Sequence, residues 1–366
     1  MKFSIDASLL TEKLGLIQGI SERRVTMPVL SHVLIETEEQ SVKITATDLE
    51  TTIQTSCLGS VESAGSMALP ARKIFEIVKE LPPGNVSFTE INNNWVEISS
   101  LNAVFKIAGL PGEDFPEIKE THLEDMFSVD SKVLGDMIDK TIYAVTSDEL
   151  RRSLSGIYFE KMDDQTLRLV ATDGHRLSLV ERADVGDISF EWSFLVPKKG
   201  VSELKRLLRS SEAVRLGCSK SEFTSEGDGV LIVTRLIDTE FPDYTQVIPE
   251  STKFSFTVGR VELLGALKRV SLLSSERTRS VKLKLQIGAL TLSCVSPEIG
   301  EATETLEINY EGDDIEVGFN SVYLRDVLEA TDGEEVEVGI TDEQSPVTIK
   351  PVGNGIFLSV IMPMRV

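Results

Sequence analysis

Three cysteines and three histidines in 366 residues leave little material for redox or metal chemistry. Cys57, Cys218 and Cys294 are too few and too scattered for a disulfide framework or a metal site, and read as plain strand or loop residues. His32, His122 and His175 lack metal-ligand spacing. Aromatic residues are only 6% of the chain, which disfavours stacking on single-stranded nucleic acid. No apolar run approaches membrane-spanning length, and Ser4 and Asp6 fall where a signal peptide needs its apolar segment, so a soluble, cytoplasmic protein is expected. Base is scarce as well: 37 Lys and Arg against 59 Asp and Glu give a net charge of -22, the reverse of the usual nucleic-acid footprint.

What is present is a globular composition, 41% apolar and 26% charged, with a long internal repeat. Ala-Thr-Asp begins at Ala46 and again at Ala171, 125 positions apart, and the same strand pattern reaches Cys294 after 123 more. FSID from Phe3, FSVD from Phe127 and FTVG from Phe256 each precede an apolar helical run. LPARKIFEIVKELP from Leu69, VPKKGVSELKRLLRSS from Val196 and FNSVYLRDVLEATDG from Phe319 recur in the same order. So do GEDFPEI, DTEFPDY and VIMPMRV. A period this long implies repeated domains rather than solenoid units. Three copies are expected, over 1–121, 122–250 and 251–366, each near the usual domain size.

Each copy reads helix, strands, helix, strands. Leu10, Leu14 and Ile17 share a helical face, as do Ala71, Ile74, Phe75 and Val78, a run stopped by Pro82-Pro83-Gly84. Leu134, Met137, Ile138 and Ile142 predict a helix over 131–145, and KLKLQIGALTLSCVS predicts a hairpin. Two helices and many short strands per copy give an α+β domain, with helices on one side of antiparallel sheets.

Charge distribution qualifies the acidic total. In the helix predicted over 197–209, Lys198, Ser202, Lys205 and Arg209 form one stripe opposite the apolar face, widened by Lys199 and Arg206. Corresponding helices carry Arg72, Lys73, Lys79 and Arg325, and the leading helices offer Lys13, Lys132, Lys140, Lys268 and Arg269. Arginines also recur before the first strand of each copy: Arg23 and Arg24, Arg151 and Arg152, Arg277 and Arg279. A charged helix face is ordinarily a solvated surface. Its recurrence in equivalent helices favours phosphate contact without sequence preference.

Two other readings remain in view. Asp173, His175 and Asp48 could be drafted as acid-base groups of an enzyme, but no nucleophile motif, phosphate-binding glycine loop or metal pair supports catalysis, and no cofactor is expected. Asp48 and Asp173 are expected instead to bond turn backbone. A protein-only scaffold of repeated domains is the other reading.

The landmarks MKF, ATDLE, LPARK, DFP, ATDGHRL, VPKKG, FPDY, FNSVYLRDVL and MPMR, in this order over the whole chain, resemble the bacterial beta sliding clamp family. That resemblance implies three tandem clamp domains, helices lining the inside and antiparallel sheets outside, in a ring-shaped head-to-tail dimer around duplex DNA. It implies a non-catalytic processivity subunit that works with a clamp loader, the replicative polymerase, other polymerases, ligase and mismatch-repair proteins. The family's partner-peptide pocket falls on Leu154, Thr172, Gly174, His175, Arg176 and Leu177, with Pro242, Val247, Val360 and Met362. Its second half falls on Asn320, Tyr323, Pro363, Met364 and Arg365. Gln246 and Pro346 depart from the family pattern at the rim, and Asp148 stands where an amide would serve DNA. Arg24, Arg72, Lys73, Arg151 and Arg152 join the α-helical stripe as expected DNA-facing residues. Phe105, Ile107, Leu272 and Leu273 match the family's dimer seam, or are ordinary core residues.

Overall fold

The computed structural model describes residues 1–20, 27–92, 94–118, 126–148, 150–162, 165–275, 279–353 and 356–364. Arg23, Arg24, His122, Arg277, Arg365 and the expected boundary at 121/122 lie outside them.

Among the described residues, six α-helices follow the apolar spacing: α1 (Ala7–Ile17), α2 (Ala71–Glu80), α3 (Ser131–Asp139), α4 (Lys198–Ser210), α5 (Arg260–Val270) and α6 (Ser321–Ala330). Asp6 ends the strand Lys2–Asp6 and caps α1, its carboxylate accepting from Ser8 N at 2.9 Å and Leu9 N at 3.0 Å. Such a cap satisfies amides that have no intrahelical partner. Leu10, Leu14 and Ile17 are then buried as expected, as are Ile74 and Val78 of α2 and Val201, Leu204 and Leu208 of α4. Each such side chain contributes about 2 kcal/mol by leaving water.

The helix expected over 131–145 is shorter. α3 stops at Asp139, and Ile142 sits in a separate 3-10 turn, Ile142–Ala144. The break follows from Thr141, whose hydroxyl donates back to the Met137 carbonyl at 2.9 Å and competes with the helical ladder.

Chain contacts divide into two units, 1–131 with 202–236, and 132–201 with 237–366. The first holds a five-stranded sheet and a nine-stranded one. In the nine-stranded sheet, Thr51–Leu58 pairs antiparallel with Val230–Arg235, joining first-copy strands to second-copy strands. The second unit holds an eight-stranded and a four-stranded sheet, and there Arg176–Arg182 pairs in the same way with Ile356–Ile361. Strands of the second copy therefore occur in both units.

α1 and α2 pack together in the first unit, and α5 and α6 in the second. Phe3 and Phe88 stack in the first core with ring centroids 4.8 Å apart. Leu263, Leu267, Leu324 and Leu328 share a core with Val281, Leu292 and Phe319 in the second. The hairpin Ser280–Gln286 with Ala289–Ser296 is formed as expected, and Cys57, Cys218 and Cys294 lie in strands without disulfides. No helix among the described residues is long and apolar enough to cross a membrane.

Candidate functional site

In the second unit, the sequence Thr172-Asp173-Gly174 builds a tight connection between the strands Leu167–Thr172 and Arg176–Arg182. Asp173 accepts from His175 N at 2.9 Å and Arg176 N at 3.0 Å, while Thr172 Oγ1 accepts from Gly174 N at 3.1 Å and donates to the Arg176 carbonyl at 2.7 Å. Gly174 takes φ +85, a region open to glycine at little steric cost. Asp48 bonds Glu50 N and Thr51 N in the corresponding turn of the first unit, so both aspartates are turn-builders.

Arg176 does not reach outward. It is 9% exposed, with Nε 3.2 Å from Asp173, a terminal nitrogen 2.6 Å from Asp326 of α6, and another bonded to the Tyr143 carbonyl. Its guanidinium lies over the rings of Tyr143, 5.2 Å from the centroid, and Tyr323, 4.5 Å away. Tyr323 in turn stacks on His175, with centroids 6.3 Å apart and planes 17° from parallel. The arginine is thus the internal fastener of the site, with every face of its planar fork in use.

The strand Ile356–Ile361 completes the floor. Leu177 pairs with Val360, and both join Val170, Leu179, Leu195, Phe241 and Tyr244 in one buried cluster, with Leu154 packed at its edge. Met362 N donates to the His175 carbonyl at 2.9 Å, and Met364 N to the Gly318 carbonyl at 2.8 Å, tying this segment to the strand Ile315–Asn320 that leads into α6. Asn320 caps α6 by accepting from Val322 N at 3.0 Å, which fixes the helix that presents Tyr323. Exposed above this floor are Gly174, His175, Pro242, Val247 and Met362, while Pro363 and Met364 are half-buried. An apolar base with a few polar groups and adaptable methionines at the rim suits an extended peptide's aliphatic and aromatic anchors.

Sequence reasoning missed the second layer. Tyr143 donates to Ser178 at 3.1 Å and bonds Ser359 at 2.7 Å, and burial pushes its phenol up to about 12. The available signal was a serine inside each of two apolar strands, RLSLVER and IFLSVI, which pair at Ser178 and Ser359. At the rim, Gln246 donates to Asp243 at 2.9 Å, and Asp148 accepts from Leu150 N at 3.0 Å and lies 3.5 Å from Arg151. Arg151 also donates to the Asp173 carbonyl at 3.1 Å and so braces the turn.

The basic stripe is present on α4. Lys198, Arg206 and Arg209 are exposed and Lys199 and Lys205 half-buried, on the side away from Val201, Leu204 and Leu208. Arg206 also pairs with buried Glu203 at 2.9 Å and donates to the Gly15 carbonyl at 3.2 Å. Several bases outside α4 are paired with carboxylates. Arg72 and Lys73 are exposed but both bond Glu76 at 2.7 Å, Lys268 pairs with Glu329 at 2.8 Å, and Arg269 with Glu304 at 2.9 Å. Lys140, expected among the surface bases, is 9% exposed between Asp136 at 2.7 Å and Asp332 at 2.5 Å. Burial opposes its charge, and the two carboxylates more than restore it. Arg152 is exposed in a 3-10 turn.

The four residues expected at the dimer seam are not core. Phe105 is 37% exposed on Ala103–Ala108, the edge strand of the five-stranded sheet, beside Val104 at 58%. Leu272 is 78% exposed in the turn Ser271–Leu273, which packs against Ala289–Ser296 and the edge strand Gly300–Glu307 of the four-stranded sheet, and Ile107 and Leu273 are half-buried. The sequence did not single out Val104, because alternation alone does not tell an edge strand from an inner one, nor Val295 and Ile299, which lie on an inner strand and in the turn after it.

Comparison with known proteins covers the whole chain. Residues 1–119, 128–243 and 245–365 match in turn the N-terminal, central and C-terminal domain families of the DNA polymerase III beta subunit. A beta sliding clamp of Vibrio cholerae is 34% identical and one of Caulobacter vibrioides 35%, each over 100% of both chains. The crystal structure of a sliding clamp from Bartonella birtlesii bound to griselimycin has a TM-score of 0.95 at 34% identity, covering 100% of both chains. That of the DNA polymerase III subunit beta from Pseudomonas aeruginosa has a TM-score of 0.93 at 32% identity, again over 100% of both. The chain belongs to the beta sliding clamp family, the beta subunits of DNA polymerase III, and serves as a DNA sliding clamp in replication.

Proposed function

We propose that two copies of this chain close head-to-tail into a ring around duplex DNA, each contributing three clamp domains over 1–121, 122–250 and 251–366. The ring is non-catalytic, works in the cytoplasm, and holds polymerase and other DNA-processing proteins through short peptides seated on Leu177, Val360, His175 and Met362. A clamp loader opens it. The observation that carries this reading is the α4 stripe: exposed Lys198, Arg206 and Arg209 on one helix of a chain whose net charge is -22. Basic groups confined to one surface meet phosphates, while the acidic remainder repels nucleic acid elsewhere.

Topological retention removes any need for tight binding. Contacts that are weak and indifferent to sequence let the ring slide, whereas base-specific bonds would stall it. The seam is the pair of exposed apolar edges, Val104 and Phe105 on one protomer meeting Leu272 of its partner, in a heterologous contact that closes after two copies. Primer extension on a singly primed circular template tests the reading. Chain, loader and cognate polymerase together should yield long products in single binding events. Short distributive products, identical with and without the chain, would contradict it.

A further inference from the structure

The first unit contains a cavity of about 390 Å³, lined in part by Thr47, Leu49, Glu50, Pro116, Ile118 and Val233. It occupies the place that strand register assigns to the His175 pocket one repeat earlier. Thr51 stands three residues after the turn-building Asp48 and pairs with Thr234; Arg176 stands three after Asp173 and pairs with Ile361. Val233 and Arg235 therefore hold the positions of Val360 and Met362, and Glu50 that of His175. The cluster beneath repeats too. Leu30, Leu34, Ala68 and Phe115, with Ile118 packed against them, correspond to Leu154, Tyr158, Leu195, Phe241 and Tyr244.

The chemistry of the lining has changed. Thr52 replaces Leu177 on the floor, Arg235 replaces Met362, and the carboxylates of Glu50, Glu117 and Glu222 line the wall. No ion pair among the described residues uses any of these four charged side chains, whereas Arg72, Lys73, Lys268 and Arg269 are each paired with a glutamate. The carboxylates do not form a metal-binding group among the described residues. They repel phosphate, and they leave three acceptors to one guanidinium.

We propose that this cavity is a second docking site, which takes an extended peptide segment that is basic where the partners of the His175 pocket are apolar. One aliphatic side chain lies against Ile118 and Val233, and a lysine or arginine sits among Glu50, Glu117 and Glu222, with Arg235 the like charge that limits its affinity. The class of occupant, an extended peptide, rests on the reading of the His175 pocket given above; the cavity and its charge do not. One chain then holds two peptides of opposite character at equivalent positions of its repeat.

The probe is a fluorescently labelled Lys-Leu-Lys-Leu-Lys-Leu peptide, titrated into the full-length chain and followed by anisotropy. Glu50→Lys with Glu117→Lys, both exposed, should weaken binding about tenfold, as the removal of two partly screened charge pairs requires. Arg235→Glu should tighten it, a gain that misfolding cannot imitate. Met362→Asp, in the other pocket, should leave it unchanged. Unsaturable binding, or an affinity indifferent to the Glu50/Glu117 reversal, overturns the proposal. Loss of the probe through Met362→Asp alone overturns it while sustaining the His175 pocket. Loss through the reversal alone, with no peptide of any composition depending on Met362, sustains this site and removes the other.

Discussion

Arg176 lies 4.5 Å from the Tyr323 ring centroid while a guanidinium nitrogen sits 2.6 Å from Asp326, so one buried cation ties the Thr172–Arg176 turn to α6. Arg176→Ala should cost about 3 kcal/mol, because it strands two partly buried carboxylates, Asp173 and Asp326. Arg176→Lys should recover only part of this, since an ammonium cannot fork between the acids or stack on Tyr143 and Tyr323. Chemical denaturation reads both, and equal stability of all three proteins would remove the fastener's role.

Met362 is an accessible apolar group of the proposed peptide pocket, 37% exposed, whereas Val360 is 1% exposed and paired within the sheet. Deleting the chain from Val360 onward would therefore damage the sheet as well as the pocket. Met362→Asp is the cleaner change, and should cost about 2 kcal/mol of partner-peptide affinity with little change in melting temperature. Calorimetric titration with a polymerase-derived peptide checks this.

In the proposed ring Leu272, 78% exposed within one chain, is covered by the partner protomer. Leu272→Asp should shift sedimentation from dimer to monomer and leave circular dichroism unchanged. A dimer of undiminished stability would move the seam elsewhere.

Replacing Lys198, Lys205 and Arg209 with alanine should lower the slope of log affinity against log salt by about 2 to 3, at roughly 0.9 for each phosphate no longer neutralised. Binding measured on linear duplex at several salt concentrations gives the slope. An unchanged slope would show that the stripe does not touch phosphate.

Tyr143 should stay protonated until about pH 12, held there by burial. The unfolded phenol ionises near 10, so its burial contributes stability that is fully present below that pH and is lost as pH rises through the window from about 10 to about 12. Tyr143→Phe should flatten the alkaline fall in melting temperature across that window.

Much of this architecture could be read from the chain, and the reasons differ by element. The helical faces at Leu10, Ile74, Leu204 and Leu267 obey a period that only a helix satisfies, and Asp48 and Asp173 stand where turn chemistry needs an acceptor. The α4 stripe was legible because charge on one face is a local pattern. What escaped was pairing between distant segments. Nothing in the neighbourhood of Lys140 announces Asp332, and nothing near Arg176 announces Asp326 or the Tyr143 carbonyl. The cavity beside Glu50 was hidden for the same reason, since its walls come together only when Thr51–Leu58 pairs with Val230–Arg235.

Encirclement is tested most directly by loading the chain on nicked circular duplex, removing free protein by gel filtration, and cutting half the sample with a single-site nuclease. The clamp should stay on the circle through high salt and leave the linear molecule by running off its ends. Equal retention on both, or equal loss from both on adding salt, would mean ordinary surface binding and would contradict the ring.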